Sequence, residues 1–305
     1  MRILFSIIFI LLLTDVQAQS DPKLFYFISG KKIGVKDNTG RVIIEPIFSK
    51  YLHVDLKHPI LDDLIEFYSL PDTMERVANE KPAIVMGTVY NRKGQLLYHA
   101  QFCDNGPDYW EEGLRRYVEG YKIGFVDKQG NKVTSAKWDF ANPFEYGYAK
   151  VFEGDMRREY EYGGEHWYAV GDTVSYLINR KGERVTPSKT ALHPKDYLYD
   201  GLYYPYPFSY TDDEQKILDK ISAIPQINKI YAINREPKQE YTLQFEITER
   251  PTKNFAYYTI EAYDNQQNTS SGIFGKFYAN AKGEFFIRTY AGDFQPLASW
   301  IAAYD

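Results

Sequence analysis

Two pairs of adjacent carboxylates are the first candidates for chemistry in this sequence, Glu111–Glu112 and Asp212–Asp213. Glycoside hydrolases use two carboxyl groups, one as an acid and the other as a base or nucleophile. The first pair, however, lies where a repeated segment is expected to turn. The second begins a predicted helix, whose dipole stabilises acids in its first turn. Each pair therefore has a sufficient structural role, and we predict no catalytic residue.

A second group has the composition of a metal site and consists of His53, Asp55 and His58, followed by Asp62 and Asp63. On a strand, positions 53 and 55 would share one face and could converge on an ion. Position 58 would lie on the other face, and Pro59 follows it directly. We interpret this group as a solvated, charged loop, and we predict no metal ion and no other cofactor.

The chain has one cysteine, Cys103, so no disulfide can form within it. The sequence contains no Gly-x-Ser-x-Gly motif. His99 precedes Cys103 by four residues, but a catalytic Cys–His pair is normally assembled in space and not in sequence. Because Cys103 follows Phe102 at the end of a predicted strand, we interpret it as a buried, inert thiol.

Aromatic residues are the remaining functional signal, at 17% of the chain with 28 tyrosines. Exposed Tyr and Trp anchor many binding surfaces because they give a large contact area at a low entropy cost. We predict ligand-binding roles for Tyr109, Trp110, Trp167, Tyr203, Tyr204 and Tyr206. Tyr160, Tyr162 and Tyr168 belong to the same signal. The alternative is that these rings fill the seam between stacked hairpins.

An internal repeat indicates which elements position these residues. Gly30–Gly40 and Gly120–Gly130 are identical at six positions with the same spacing, and weaker copies cover residues 89–94 and 177–182. In each copy an Asp or Asn stands three residues before a Gly. The Asx side chain caps such a turn, and the Gly takes the left-handed conformation that follows it. The repeat therefore predicts β-hairpins, which must pair or stack to become stable.

The segment Gly120–Val151 resembles a WG repeat, whose pattern reads roughly Gly-Lys-x-Trp-Gly-Phe-Ile-Asp-x-x-Gly. The matching parts are Ile123–Asp127 with Gly130, then Lys137–Asp139, then Phe144–Val151, with partial matches over Val42–Pro46 and Glu112–Val118. Ile33 and Ile123 stand where the family has its tryptophan, so these repeats are degenerate, but an isoleucine keeps the hydrophobic role. The resemblance covers roughly residues 25–190. It implies an array of antiparallel hairpins in a bacterial envelope protein and supplies no catalytic residue.

Two charged segments interrupt the repeats. The first, residues 51–81, has a composition compatible with a short helix around Asp62–Tyr68. The second, residues 153–165, combines alternating charges with glycines and predicts an exposed loop or a long hairpin.

The character of the sequence changes after residue 200. A Tyr- and Pro-rich linker is expected over residues 201–210, and Thr211 with Glu214 then forms a capping box. The apolar spacing that follows predicts one helix ending at Pro225, and four strand-like runs come after it. This order of elements is similar to that of PepSY and cystatin-like modules. We therefore expect a mainly β protein, with hairpin repeats over residues 19–200 and a small α+β domain, one helix on an antiparallel sheet, over residues 211–305.

The first 18 residues have the layout of a secretory signal peptide: a positive start, the apolar run Ile3–Leu13, and small residues at Val16 and Ala18 before Gln19. The run is too short to span a bilayer, and no later stretch predicts a transmembrane segment. Since no cysteine lies near the cut, we expect a periplasmic or extracellular protein and not a lipoprotein. The net charge of −5 argues against a nucleic-acid partner.

From these features we expect an exported, non-catalytic scaffold of the cell envelope that binds a protein, a peptide or a glycan. One alternative is a hydrolase of envelope polymers that draws its carboxylates from the insertions, which requires two nearby carboxylates without structural partners. Another is that the C-terminal domain acts as an inhibitor or a chaperone-like module, which requires an exposed sheet edge.

Overall fold

A computed structural model describes residues 22–49, 54–71, 81–103, 106–164, 166–232, 243–264, 275–289 and 292–304. The expected signal peptide, residues 1–18, lies outside them. The chain divides into two compact units, residues 1–61 and 62–305. Within the described residues, no helix is long and apolar enough to cross a membrane.

The described residues of the first unit form an antiparallel sheet of three strands in the order β1–β2–β3. Its strands are β1 (Leu24–Ser29), β2 (Lys32–Asp37) and β3 (Val42–Ser49). Alternate side chains turn inward and form its core, among them Ile33, Val35 and Phe48.

The second unit is also mainly β, as the sequence predicts. The strands of its repeat region are β4 (Leu64–Phe67), β5 (Val85–Asn91), β6 (Leu96–Cys103), β7 (Gly106–Pro107), β8 (Leu114–Glu119), β9 (Lys122–Asp127), β10 (Phe140–Ala141), β11 (Tyr148–Gly154), β12 (Arg157–Tyr160), β13 (Trp167–Val170), β14 (Thr173–Asn179), β15 (Tyr197–Tyr199) and β16 (Leu202–Tyr204). They form antiparallel sheets in the orders β4–β5–β6–β8–β9, β10–β11–β14, β12–β13 and β15–β16, and β7 pairs with β6.

The described residues of the C-terminal part form three helices and a five-stranded antiparallel sheet. Its elements are α1 (Asp212–Ser222), α2 (Pro225–Ala232), β17 (Leu243–Glu249), β18 (Tyr258–Asp264), β19 (Gly275–Ala279), β20 (Phe285–Arg288), β21 (Phe294–Pro296) and α3 (Leu297–Ile301). The capping box is present, because the Thr211 side chain accepts from the Glu214 N–H and the Glu214 side chain accepts from the Thr211 N–H. Two further helices join the one expected, and all three contribute to one apolar core with a face of this sheet.

The repeat turns have the predicted chemistry. In every copy the Asx Oδ1 accepts from the backbone N–H groups two and four residues later, at 2.8–3.1 Å. These turns begin at Asp37, Asn91, Asp127, Asn179 and, in the C-terminal part, Asn280. The glycine that ends each turn has a positive φ between 74° and 93°. Each is thus a type I turn followed by a left-handed residue, which fixes the register of its hairpin.

A second kind of turn lies at the other end of the hairpins. Glu112–Gly113, Tyr146–Gly147 and Asp200–Gly201 all have φ between 50° and 74° at both residues. Two positive φ values in a two-residue loop define a type I′ turn, which matches the twist of the flanking strands. Glu112 therefore stands at a repeat turn, as the sequence predicts.

Two local expectations were wrong. Residues 64–67 form strand β4 and not a helix, since Ile65 and Phe67 are buried alternately and the strand pairs with β5. Pro225 does not end α1, which stops at Ser222, but begins α2. Proline suits a first helical position because the missing N–H would have no partner there.

Close packing leaves no room for a side chain at the glycine of the WG-like pattern. A Cβ added to Gly34 would lie 2.5 Å from the Ile44 carbonyl oxygen of the paired strand β3. One added to Gly124 would lie 2.5 Å from Cε1 of the Tyr117 ring, which is opposite it on β8, and 2.9 Å from the Ala136 backbone nitrogen. Ile33 and Ile123, which replace the family's tryptophan, are both fully buried.

We expect Gly124→Ala to lower the free energy of unfolding by about 1–3 kcal/mol, because the buried Tyr117 ring and the backbone at Ala136 have to move away from the added methyl group. Urea unfolding followed by circular dichroism measures the loss. The matched control is Gly106→Ala, where an added Cβ meets no atom within 4 Å. Equal stability of the two variants would contradict the explanation.

Candidate functional site

The second charged segment, for which the sequence predicts an exposed loop or a long hairpin, is part of a hairpin that continues from β11 and β14. We call its described residues, 155–164 and 166–171, the arm, and they contain β12 and β13. Gly154 and Gly171 mark its base, with φ of 149° and 139°. A Cβ on either would collide with a backbone oxygen of the opposite strand, that of Asp172 or Asp155. Glycine at both positions therefore lets the two strands cross closely where the arm begins.

The arm exposes aromatic rings without a core beneath them. Tyr162 at its tip is fully exposed, and Tyr160 and Tyr168 are about half exposed, at 50% and 48%. Among the arm's described residues only Met156 is buried. The Arg158 guanidinium lies 5.6 Å from the Tyr160 ring centroid and 5.8 Å from that of Trp167. This cation–π stack orders the rings on one face.

The other predicted binding residues have different surroundings. Tyr109 is 59% exposed, whereas the Trp110 ring is half-buried under the Arg115 guanidinium at 5.1 Å. Tyr203 is half-buried in β16, and Tyr204 is only 8% exposed and packs with Tyr148 and Leu177. Tyr204 thus fills a seam, as the alternative interpretation has it. The ligand-binding roles stay predictions.

The remaining predicted residue, Tyr206, belongs to a buried polar group. Its hydroxyl donates to Glu246 Oε2 at 2.6 Å, and the hydroxyl of Tyr210 donates to the same oxygen at 2.5 Å. Lys195 Nζ and Gln244 Nε2 donate to Glu246 Oε1 at 3.2 and 2.5 Å. Glu246 is fully buried. Three of its four donors, Lys195, Tyr206 and Tyr210, join β17 to residues 195–210, whereas Gln244 lies on β17 itself.

Sequence reasoning missed this polar face. On β17 and β18, apolar side chains such as Phe245 and Ile260 point to the helices. The residues between them, including Glu246 and Glu261, point to the other face and are buried by the repeat region. The available signal was an acid at the centre of two otherwise apolar, strand-like runs.

A second polar group on this face holds two buried carboxylates around one hydroxyl. We call Glu112, Glu261, Tyr263, Lys276 and Arg180 the buried carboxylate cluster. The Tyr263 hydroxyl lies 2.6 Å from Glu112 Oε1 and 3.0 Å from Glu261 Oε2. Since a hydroxyl carries one hydrogen, it donates to one carboxylate only, and the other carboxyl has to donate to it. The geometry therefore requires a shared proton.

The surroundings assign that proton to Glu261. Glu112 also accepts from the Gly147 N–H at 2.9 and 3.0 Å and from Arg180 at 3.2 Å, which suits an ionised carboxylate. Burial, and then the charge of Glu112, raise the pKa of Glu261 to about 7, although Lys276 acts in the opposite direction. Burial also raises the pKa of Glu112, against the effect of Arg180.

Lys276 is closer to other partners than to Glu261. Its Nζ donates to Glu111 Oε2 at 2.8 Å and to the Trp110 carbonyl at 3.1 Å, whereas Glu261 Oε1 lies 3.5 Å away. Glu261 Oε1 accepts no hydrogen bond from the described residues. A negative charge on Glu261 Oε1 would thus be balanced only by the more distant Lys276 ammonium, which agrees with a neutral carboxyl group.

The other sequence candidates are not assembled into a site. Asp55 Oδ2 and His58 Nδ1 are 2.7 Å apart on an exposed surface, and His53 lies outside the described residues. No group of three or more potential metal ligands occurs in the described part of the chain. Asp213 is exposed and pairs with Lys216 at 2.8 Å.

Comparison with known proteins agrees with the repeat geometry. No curated protein and no solved structure matches the chain. The resemblance of the C-terminal part to PepSY and cystatin-like modules therefore has no support. Residues 123–156 match the family model described as WG containing repeat. They include most of β9, the close contacts at Gly124 and the turn at Tyr146–Gly147, so the geometry of this segment agrees with its similarity to a WG repeat.

Proposed function

We propose that this protein is an exported, non-catalytic scaffold of the cell envelope that uses the arm to bind a protein, a peptide or a glycan. The observation that carries the proposal is the exposure of Tyr160, Tyr162 and Tyr168 on a hairpin that buries almost nothing. A two-stranded hairpin gains little stability alone, so aromatic rings on it are better explained by contact with a partner.

The hydrolase alternative has weaker support. Glu112 and Glu261 are close enough for acid–base chemistry, but both are buried, and Glu112 has three kinds of structural donor. This pair therefore lacks the free carboxylates that the alternative requires.

The inhibitor-like alternative requires an open sheet edge in the C-terminal part. At the edge strand β17, the N–H of Leu243 donates to the Asn228 side chain at 3.1 Å and that of Ile247 donates to the Tyr210 hydroxyl at 3.2 Å. Side chains thus occupy two of the groups that an added strand would need.

Residues 19–305, immobilised and exposed to envelope extract of the source cells, are expected to retain a ligand in a defined ratio, identified by mass spectrometry and sugar analysis. The triple variant Tyr160→Ala, Tyr162→Ala, Trp167→Ala should lose at least about tenfold in retention, since anchor residues contribute 1–2 kcal/mol or more each. Tyr121→Ala removes an exposed ring outside the arm and should retain the ligand fully.

Two results would contradict the proposal. Equal retention by the triple variant and the wild type would exclude the arm as the binding surface. Intact mass of the protein isolated from the source cells tests export separately: a chain beginning at Gln19 is expected, and a chain that keeps residues 1–18 would overturn it.

A further inference from the structure

The outer edge of β13 presents unpaired backbone groups. Within the arm, the Glu161 N–H donates to the His166 carbonyl at 3.0 Å, and the Asp155 N–H donates to the Asp172 carbonyl at 3.3 Å. In an antiparallel ladder every second residue pair is hydrogen-bonded. The pair Glu159–Tyr168 lies between the two hydrogen-bonded pairs Glu161–His166 and Asp155–Asp172 and is therefore hydrogen-bonded as well. The backbone groups of Trp167 and Ala169 then point away from β12. Among the described strands, β13 pairs only with β12.

This edge also lacks the usual protection against pairing. Proteins place charged residues, prolines or bulges on exposed edge strands to prevent the addition of another strand. β12 follows the rule, with Arg157, Arg158 and Glu159. β13, with the sequence Trp-Tyr-Ala-Val, has no charged residue and no proline.

We infer that a second copy of this chain adds its own β13 to the β13 edge, so that two arms form one four-stranded sheet. The inference concerns the same arm as the proposed function and names one partner of it. Antiparallel pairing about a two-fold axis through Tyr168 places Trp167 opposite Ala169 of the partner subunit. Each of the two equivalent pairs exchanges both backbone hydrogen bonds, which gives four in total.

The side chains fit this register. Trp167 and Ala169 lie on the same face of β13. In the dimer the large Trp167 side chain therefore lies opposite the small Ala169 of the partner subunit, and Ala169 lies opposite Trp167 of the partner subunit. Tyr168 lies on the opposite face, at the more closely spaced, non-hydrogen-bonded position, where an aromatic pair stabilises a sheet. A glycan would use none of the edge groups. An unrelated peptide would use them without the size match.

The contact is small and should be reversible. Two four-residue strands bury less than the roughly 1,200 Å² of a stable interface, so we expect a dissociation constant of about 10–100 µM. Sedimentation equilibrium of residues 19–305, from about 1 to 500 µM, should show the mass rising from monomer to dimer.

Substitutions at Ala169 test the edge without disturbing the β12 ladder. Ala169→Pro removes an outward N–H, and we expect dimerisation to weaken at least about tenfold. Ala169→Ser keeps the N–H and a small side chain, so it should dimerise like the wild type. Circular dichroism verifies that both variants are folded. A wild type that stays monomeric, or a folded Ala169→Pro variant that dimerises normally, would refute the inference.

A cysteine at the axis tests the register directly. In a Cys103→Ser background, Tyr168→Cys should form an intermolecular disulfide under mild oxidation, because directly opposite Cβ atoms lie about 4.5–5.5 Å apart. Val170→Cys, which has no copy of itself opposite, should not form this disulfide, and a preference for Val170→Cys would exclude this register.

A chain that dimerises but retains nothing from envelope extract would reject the proposed function alone. One that binds its ligand as a monomer would reject this inference alone.

Discussion

Glu261→Gln is expected to make the protein more stable than the wild type at pH 8 and to leave its stability near pH 4.5 almost unchanged. The pKa of Glu261 is raised to about 7 in the folded protein, whereas it has its ordinary value of about 4.5 in the unfolded chain. Its contribution to stability is therefore fully present below pH 4.5 and is lost as the pH rises through 7. The loss is on the order of 2–4 kcal/mol. A glutamine amide still donates to Tyr263 but cannot ionise.

The groups around Glu261 set the sign of this effect. Glu112 and Glu111 oppose its ionisation, and Lys276 favours it. Burial is the largest influence and also disfavours the charge. Urea unfolding at pH 4.5, 6 and 8 measures the dependence, which should be flatter in the variant. Glu119→Gln, at an exposed carboxylate paired with Lys132 at 3.0 Å, should keep the slope of the wild type. An unchanged slope in Glu261→Gln would show that Glu261 is ionised in the folded protein.

What the sequence could predict was local. The Asx–Gly turns, the capping box and the alternating strands follow from interactions within a few residues, so Asp127 with Gly130, or Thr211 with Glu214, predicts its structure without the rest of the chain. The WG-like pattern extended this to the order of the hairpins. At residues 64–67 the charged composition of the segment wrongly suggested a short helix. Ile65 and Phe67 are buried alternately there, as in a strand.

What the sequence could not predict depends on pairing between distant segments. Glu112 precedes Tyr263 by 151 residues, yet their side chains are 2.6 Å apart. Nothing in the sequence near Glu112 shows whether the carboxylate at this turn is exposed to water or buried. The same holds for the arm. The sequence of residues 153–165 predicted an exposed loop or a long hairpin, but only the hydrogen bonds of the folded ladder show which edge of β13 has no partner among the described strands.

Glu246→Ala is expected to lower the free energy of unfolding by about 2–4 kcal/mol, the largest loss that we predict for a single side chain. Two tyrosine hydroxyls, one amide and one ammonium group donate to this carboxylate, and its removal leaves the buried donors without an acceptor. Lys195 is partly exposed and can turn to water, which keeps the loss below that of a fully buried ion pair.

A double-mutant cycle and hydrogen exchange test whether Glu246 and its donors join the C-terminal sheet to the repeat region. Tyr206→Phe removes one donor and leaves the acceptor with three, so it should cost only about 1 kcal/mol. In the Glu246→Ala background, Tyr206→Phe should cost almost nothing, because the acceptor of the Tyr206 hydroxyl is already absent. The double-mutant cycle should therefore give a coupling of about 1 kcal/mol. Hydrogen exchange should show faster opening of β17 in Glu246→Ala, whereas the repeat turn at Asp37 should be unchanged. Additive losses in the cycle, or unchanged exchange in β17, would mean that Glu246 is buried there without holding the two parts together.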